Sequence, residues 1–155
     1  MVTEYMDLNP EFLASLIDSF SSWHYWAWRG YDCCHREYGI IDGLGEVPTP
    51  DHLDQNILHS IVQPYPRAMA GTPVATTFDF NTATYDLEYS PRSIEGSTPI
   101  DPDLTTEIIV PERHYPRGYV ARVANGRVVS EEDSPLLEIV AETETDPIVV
   151  EIRPK

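Results

Sequence analysis

The stretch TTFDFNTATYDLEY, residues 76–89, decides the fold class of this chain. Phe78 and Phe80 alternate with polar residues, and the same two-residue period returns between Tyr85 and Tyr89. The segment between these runs, NTA, has the small and polar residues that favour a turn. Because successive side chains of a strand point to opposite faces, the two runs are predicted to form a β-hairpin with one buried face.

Further runs of strand-forming residues follow at short intervals along the second half of the chain. They lie at residues 105–110, 119–123, 128–129, 136–141 and 148–152. Asn125-Gly126 stands between two of them, and Asn-Gly favours a two-residue hairpin turn because both positions accept a positive φ. About seven short strands, with turn signals roughly every 8 to 12 residues, are typical of a β-sandwich.

The alternation also predicts which side chains form the core of the sandwich. Residues of one parity along each strand face inwards, where they pack against the other sheet. The predicted core residues are Phe78, Phe80, Tyr85, Leu87, Tyr89, Val123, Ile139 and Ile152.

The first part of the chain has a different pattern, with helices as well as strands. Expected in order are a short strand at 2–5, a helix at 10–20, an aromatic strand at 23–28, a long loop at 29–50 and a helix at 51–62. Asp51 is expected to cap the last helix, and Pro64 and Pro66 are expected to end it. The aromatic strand lacks a regular polar alternation, which is typical of a strand in a parallel sheet. Alternating strands and helices form α/β units, but two such units are too few to close a parallel sheet. We therefore expect the chain to begin inside a larger protein.

The composition excludes several classes of partner. The 155 residues include 26 acidic and 10 basic side chains, a formal net charge of −16. Nucleic-acid phosphates and anionic membrane surfaces both attract Lys and Arg, so neither is an expected partner. A hydrophobic content of 41% excludes a disordered acidic tail. No apolar stretch approaches the roughly 18 residues of a transmembrane helix, so no integral membrane segment is expected.

Glu4 and a group of aromatic residues are the candidates for chemistry. Glu4 lies near the end of a predicted strand that precedes a helix, and catalytic groups in α/β barrels project from such strand ends. A solvated glutamate near the terminus is the alternative interpretation. Trp23, Tyr25, Trp26 and Trp28 follow one another on the aromatic strand. Their rings can stack on the apolar faces of sugars, although an aromatic strand more often belongs to a hydrophobic core.

No metal site and no cofactor site are expected. The five histidines have no metal-ligand spacing, and Cys33-Cys34 lacks the paired arrangement of a zinc site. The run Gly43-Leu44-Gly45 lacks the third glycine and the strand-to-helix context of a phosphate loop. The adjacent cysteines leave the redox compartment open.

Several motifs along the chain carry a family resemblance. They are PYPRAMAGTP at 64–73, TTFDF at 76–80, TYDLEY at 84–89, TEIIVPERHYPRGY at 106–119 and VVEIRP at 149–154. Together they resemble the C-terminal part of endoglycoceramidases, which are glycolipid-cleaving members of glycoside hydrolase family 5. In front of them, SWHYWAW at 22–28 is similar to the last barrel strand of these enzymes, and residues 51–62 are similar to the last barrel helix.

The resemblance implies a fold and an activity. Members of the family have a (β/α)₈ TIM barrel followed by a β-sandwich. The implied fold class is therefore mainly β, with a C-terminal β-sandwich at residues 72–155 preceded at 1–71 by the last α/β units of a truncated TIM barrel. The implied activity is retaining hydrolysis of the bond between a glycan and a lipid, which uses two glutamates with carboxyl groups roughly 5 to 5.5 Å apart.

The resemblance also assigns roles to individual residues. Trp26 matches the tryptophan at the mouth of the last strand, which floors the sugar subsite, and Tyr25 and Trp28 join it as substrate-binding candidates. Glu4, within VTEY, is similar to the nucleophile of a TEFG-like motif, although a Tyr-Met pair replaces Phe-Gly and the span from Glu4 to Trp26 is short. The nucleophile therefore lies either at Glu4 or upstream, and the acid/base glutamate lies upstream. The implied partners are a glycolipid or glycoside substrate and the remainder of the barrel.

A second class of function stays open beside the glycosidase. The chain can instead be a non-catalytic β-sandwich module, structural or carbohydrate-binding, carried on a remnant of a barrel. We expect the chain alone to lack glycosidase activity. Its localisation is open, and secretion is expected only if an upstream signal peptide exists.

Overall fold

A computed structural model describes residues 3–5, 23–25, 40–41 and 49–155 of the chain. Its strands are β1 Thr3–Tyr5, β2 Trp23–Tyr25, β3 Tyr65–Ala68, β4 Thr72–Asp79, β5 Thr84–Ser90, β6 Thr105–Ile109, β7 Tyr119–Ala124, β8 Gly126–Val128, β9 Leu136–Ala141 and β10 Ile148–Pro154. In the same ranges an α-helix, α1, spans Gln55–Ile61, and a 3₁₀ helix spans Pro50–His52. The predicted helix at 10–20, strand residues 26–28 and most of the predicted loop at 29–50 lie outside the described residues.

Two antiparallel sheets of four strands each make up the second half of the chain. One sheet has the order β4-β5-β10-β7 and the other the order β3-β6-β9-β8. Every strand pair in both sheets is antiparallel. The prediction of a mainly β chain with a C-terminal β-sandwich is therefore confirmed.

The buried core lies between these two sheets, and the parity of the strands predicted it well. Of the predicted core residues, Phe78, Tyr85, Leu87, Tyr89, Ile139 and Ile152 are all at most 4% exposed. Phe80 and Val123 are half-buried and pack against the same cluster. Both sheets contribute, because Ile108 and Leu137 belong to the second sheet while Leu87 and Val150 belong to the first.

The predicted hairpin at 76–89 is present as β4 and β5. Phe78 pairs with Tyr85, and Asp79 pairs with Thr84. The Asp79 carboxylate accepts hydrogen bonds from the Asn81 N–H at 2.8 Å and from the Thr82 hydroxyl at 2.8 Å. An aspartate in this position accepts hydrogen bonds from the turn that follows it, and these bonds stabilise the hairpin. These two hydrogen bonds hold the pKa of Asp79 below its ordinary value.

The prediction of a hairpin at Asn125-Gly126 is wrong. The preceding strand β7 pairs with β10, whereas the following strand β8 pairs with β9 in the other sheet. Asn125 does adopt the positive φ of 62° that the motif favours, and its side-chain amide donates to the carbonyl of Pro147 at 2.8 Å. The chain therefore bends at Asn125 and passes from one sheet to the other instead of pairing with itself.

A short strand that the sequence did not predict, β3, joins the sandwich before residue 72. It pairs with β6 at the edge of the second sheet, with Tyr65 opposite Ile109. Pro66, predicted to help end the preceding helix, lies within β3. Proline is tolerated on an edge strand, where its missing N–H costs no ladder bond. The division of the chain after residue 71 stays a prediction, with four residues of the sandwich lying before that position.

The predicted helix at 51–62 is shorter than expected and has a different cap. Residues Pro50–His52 form the 3₁₀ helix, and α1 begins only at Gln55. Asp54 is the N-cap, because its Oδ1 accepts the N–H of Asn56 at 2.8 Å and the N–H of Ile57 at 3.0 Å. Asp54 satisfies the amides that would otherwise lack partners, so the cap assigned to Asp51 was placed three residues too early.

The strands β1 and β2 form a separate parallel pair. Their register places Thr3 opposite Trp23, Glu4 opposite His24 and Tyr5 opposite Tyr25. The parallel environment predicted for the aromatic strand is thus confirmed for residues 23–25. Within the described residues, no helix has the length and apolar composition needed to cross a membrane.

Candidate functional site

The parallel pair β1–β2 brings two of the predicted site residues onto neighbouring strands. Glu4 is opposite His24, and Tyr25 is the next position along β2. Adjacent strands lie about 4.8 Å apart, so the backbones at Glu4 and Tyr25 are close neighbours. Both strands run in the same direction, and their carboxyl ends therefore meet at one edge of the sheet.

The other two predicted site residues directly follow this edge in the sequence. Trp26 comes immediately after Tyr25, and Trp28 follows two positions later. Both lie outside the described residues. Catalytic residues of α/β barrels come from the carboxyl ends of several different strands, and Glu4 lies on the strand next to β2.

A carbohydrate-binding module would hold sugar in a surface cleft, and the described part of the sandwich has clefts of this kind. One, of about 300 Å³, is lined by Tyr115 and Tyr119 among others. However, these residues are only 3% and 6% exposed. Their hydroxyl groups donate to the carbonyls of Ala83 at 2.9 Å and Ser134 at 2.8 Å. The ring faces are thus part of the core and not open platforms on which a sugar can stack.

The adjacent cleft, of about 340 Å³, shares Asp133 with the first. The Oδ1 of Asp133 accepts the Tyr119 N–H at 2.8 Å, and its Oδ2 accepts from the ammonium group of Lys155 at 2.7 Å. These hydrogen bonds, that of Lys155 first, lower the pKa of Asp133. The carboxylate therefore connects Lys155 to the start of β7, so both of its oxygens are used in structural hydrogen bonds.

Sequence reasoning missed a cluster of aromatic rings that joins α1 to the sandwich. We call it the histidine cluster: it consists of His59, Phe78, Phe80 and His114. The ring centroids of His59 and His114 are 4.8 Å apart, and those of Phe78 and His114 are 5.0 Å apart. The His114 Nε2 lies 2.6 Å from the carbonyl oxygen of Val62, which follows α1. In the sequence, the spacing of His59 and His114 indicates only that they lack a metal-binding pattern. Spacing along the chain gives no information on contacts between distant segments.

A metal centre does not emerge from the part of the chain that the structure describes. Among those residues, no group of three or more His, Cys, Asp or Glu side chains is placed to hold an ion. Cys33 and Cys34 lie outside the described residues.

Comparison with known proteins relates the sandwich to one family. Residues 63–153 match the sequence profile described as "Glycoside hydrolase family 5 C-terminal domain". That range begins just before β3 and ends within β10. The match therefore covers both sheets of the sandwich.

Similar proteins extend the likeness towards the N-terminus. Endoglycoceramidase I of Rhodococcus hoagii is 27% identical over 156 residues, which cover 98% of this chain and 27% of that protein. The solved structure of endo-glycoceramidase II from Rhodococcus sp. as a lactosyl-enzyme intermediate has a TM-score of 0.65 at 18% identity, over 99% of this chain and 33% of that one. Sterylglucosidase 1 of Cryptococcus neoformans has a TM-score of 0.70 at 15% identity, over 94% of this chain and 24% of that one. The chain thus spans about a quarter to a third of the length of these relatives.

Proposed function

Because the chain belongs to glycoside hydrolase family 5 through its C-terminal domain, we propose that it is the C-terminal portion of a retaining glycosidase that cleaves the glycan–lipid bond of glycolipids. The observation that carries the proposal is the family match over residues 63–153. The parallel pair β1–β2 ahead of the sandwich supports it, since parallel strands are what the end of a TIM barrel would contribute.

The class of substrate is supported by what the relatives are called. Two of them are endoglycoceramidases and one is a sterylglucosidase. Each of these names describes an enzyme whose substrate is a sugar attached to a lipid. A further structure of endo-glycoceramidase II is a complex with ganglioside GM3. A glycan joined to a hydrophobic aglycone is the chemistry that we carry over to this chain.

The proposed reaction proceeds in two steps with two carboxyl groups. Glu4 attacks the anomeric carbon while an upstream glutamic acid donates a proton to the departing lipid oxygen, which gives a covalent glycosyl-enzyme. The upstream residue then takes a proton from water, and that water attacks the anomeric carbon and releases Glu4. The lactosyl-enzyme intermediate of the relative is a species of this kind, which supports the retaining route.

Trp26, with Tyr25 and Trp28, is proposed to bind the sugar next to the scissile bond. Indole and phenol rings present flat apolar faces that complement the C–H faces of a sugar ring. Tyr25 ends β2, the strand next to the one that carries Glu4. The sandwich then serves as a support that holds this end of the barrel.

The experiment is an assay of the protein with its upstream sequence restored, using a fluorescent ganglioside or glucosylceramide. We expect lipid release by the extended protein and none by the 155-residue chain. The Glu4→Gln variant should lose about 10³-fold or more in kcat if Glu4 is the nucleophile. Normal turnover by this variant would move the nucleophile upstream, and a folded extended protein without activity on any glycolipid would overturn the proposal.

A further inference from the structure

The histidine cluster connects α1 to the sandwich in the described part of the chain. From α1, His59 contacts the rings of His114 and Phe80, at centroid distances of 4.8 and 6.2 Å. From the segment between β6 and β7, His114 bonds the carbonyl of Val62 and Arg113 bonds the side-chain oxygen of Gln55 at 2.6 Å. Two of the groups that fasten the helix are therefore imidazoles, which change charge near neutral pH.

The surroundings of His114 favour its neutral form. The residue is 7% exposed. The rings of Phe78 in β4 and of Phe80, which directly follows β4, lie against it. The ionisable groups that face it are His59 from α1 and Arg113 from its own segment, both of which carry positive charge when protonated. In the described part of the chain, no carboxylate acts on His114 to offset a positive charge.

The hydrogen bond to Val62 defines which nitrogen of His114 carries the proton. A carbonyl oxygen only accepts, so Nε2 donates and Nδ1 keeps its lone pair. Protonation at Nδ1 would place a full positive charge among two phenyl rings and beside a second imidazole. Burial lowers the pKa of His114 most, His59 and Arg113 lower it further, and the Val62 carbonyl partly opposes them.

We propose that the histidine cluster is an acid-sensitive joint that releases α1 from the sandwich when His114 takes up a proton. The sign follows from linkage. His114 is harder to protonate in the closed joint than in an exposed chain, where a histidine titrates near about pH 6.5. The closed joint therefore keeps its full stability above about pH 6.5, and the population of the open form increases as the pH falls below that value. The ratio of closed to open molecules falls about tenfold for each unit that separates the two pKa values.

The test follows the joint directly by NMR, on the 155-residue chain. The imidazole signals of His114 should titrate below the ordinary histidine range. Between about pH 6.5 and that lower midpoint, the Leu58 and Val62 amides should lose hydrogen-exchange protection after correction for intrinsic exchange. His114→Gln keeps a donor for Val62 without a titrating group, so its α1 protection should change little between about pH 7 and about pH 5. Protection that falls equally in the wild type and in His114→Gln would overturn the proposal.

Two further variants keep the test decisive. His52→Gln removes a histidine of the 3₁₀ helix, whose Nδ1 accepts the Thr49 N–H, and should leave the acid response of α1 unchanged. His59→Gln removes the neighbouring imidazole, so the titration midpoint of His114 should rise towards the ordinary range. If His114→Gln does not fold, the wild type decides: a His114 midpoint within the ordinary histidine range, or α1 protection that does not fall with pH, would contradict the proposal. The result does not depend on whether the protein hydrolyses a glycolipid.

Discussion

The tryptophan that follows β2 is the residue on which the proposed sugar subsite depends most. In the protein with its upstream sequence restored, Trp26→Ala should lower kcat/KM by the equivalent of roughly 1 to 3 kcal/mol, because a stacked ring is lost. The urea midpoint should stay close to that of the unaltered protein. Glycolipid turnover and urea unfolding, measured on the same preparation, test both statements.

Trp23 is the control for this substitution. It begins β2, opposite Thr3 of β1, and we expect it to pack against the helices of the barrel. Trp23→Ala should therefore cost roughly 3 to 5 kcal/mol of stability, as for a core aromatic residue. If Trp26→Ala instead collapses the midpoint while its folded fraction retains normal turnover, Trp26 is a core residue and the subsite is wrongly placed.

Gly118 lies next to what we call the Asp133 clasp, the hydrogen bonds by which the Asp133 carboxylate joins Tyr119 to Lys155. It has a φ of +87°, and a Cβ there would collide with the carboxylate of Asp133. That carboxylate cannot move freely, because Tyr119 and Lys155 both donate to it. Gly118→Ala should lower the free energy of unfolding by at least about 1 kcal/mol more than Gly96→Ala.

Gly96→Ala is a matched control because Gly96 also has a positive φ, of +70°, but open space around the position of a Cβ. Its cost should be about 1 kcal/mol, from backbone strain alone. Urea unfolding of both variants provides the comparison. Equal losses would mean that the Asp133 clasp adds nothing to the need for glycine at position 118.

Single residues also show what periodicity can and cannot predict. Alternation alone predicts that Tyr85 and Leu87 belong to the core. Both are fully buried, because residues two apart on a strand point to the same face and that face is the inner one. The contact between His59 and His114 joins residues 55 positions apart. Its formation depends on how α1 docks against β4, and no local pattern encodes that.

The cap of α1 provides the test at the level of the element. Asp54→Ala should weaken the helix by about 0.5 to 2 kcal/mol, because the N–H groups of Asn56 and Ile57 lose their acceptor. The hydrogen-exchange protection of the Val62 amide, which donates to Leu58 within the last turn, reports this loss. Asp51→Ala is the control and should have a much smaller effect; an equal loss of protection would contradict the assignment of the cap.

The errors at the level of elements have one physical origin. Asn125-Gly126 and the Pro64-to-Pro66 segment were both interpreted from local preferences, namely positive φ and the absence of a proline N–H. Those preferences are satisfied in the structure, as the φ of Asn125 shows. Which strand pairs with which is decided by long-range packing, so a correct turn residue became a corner and a helix stop became an edge strand.

For the whole molecule, the sequence was most informative where motifs extend over many residues. The hairpin motif and the TEIIVPERHYPRGY run lie within the range that matches the family profile, and the predicted sandwich is present. The site was less predictable, because a retaining active site needs two carboxyl groups from different strands. Glu4 supplies at most one of them, and Trp26 and Trp28 lie outside the described residues.

The measurement that tests the central claim most directly is the anomeric configuration of the first sugar product. The protein with its upstream sequence restored would be given a β-linked glycolipid, and the reducing end of the released glycan would be followed by NMR before mutarotation. We predict release of the lipid together with a glycan that first appears as the β-anomer, because two displacements at the anomeric carbon restore its configuration. An α-anomer as first product, or a folded extended protein that releases no lipid, would contradict the account.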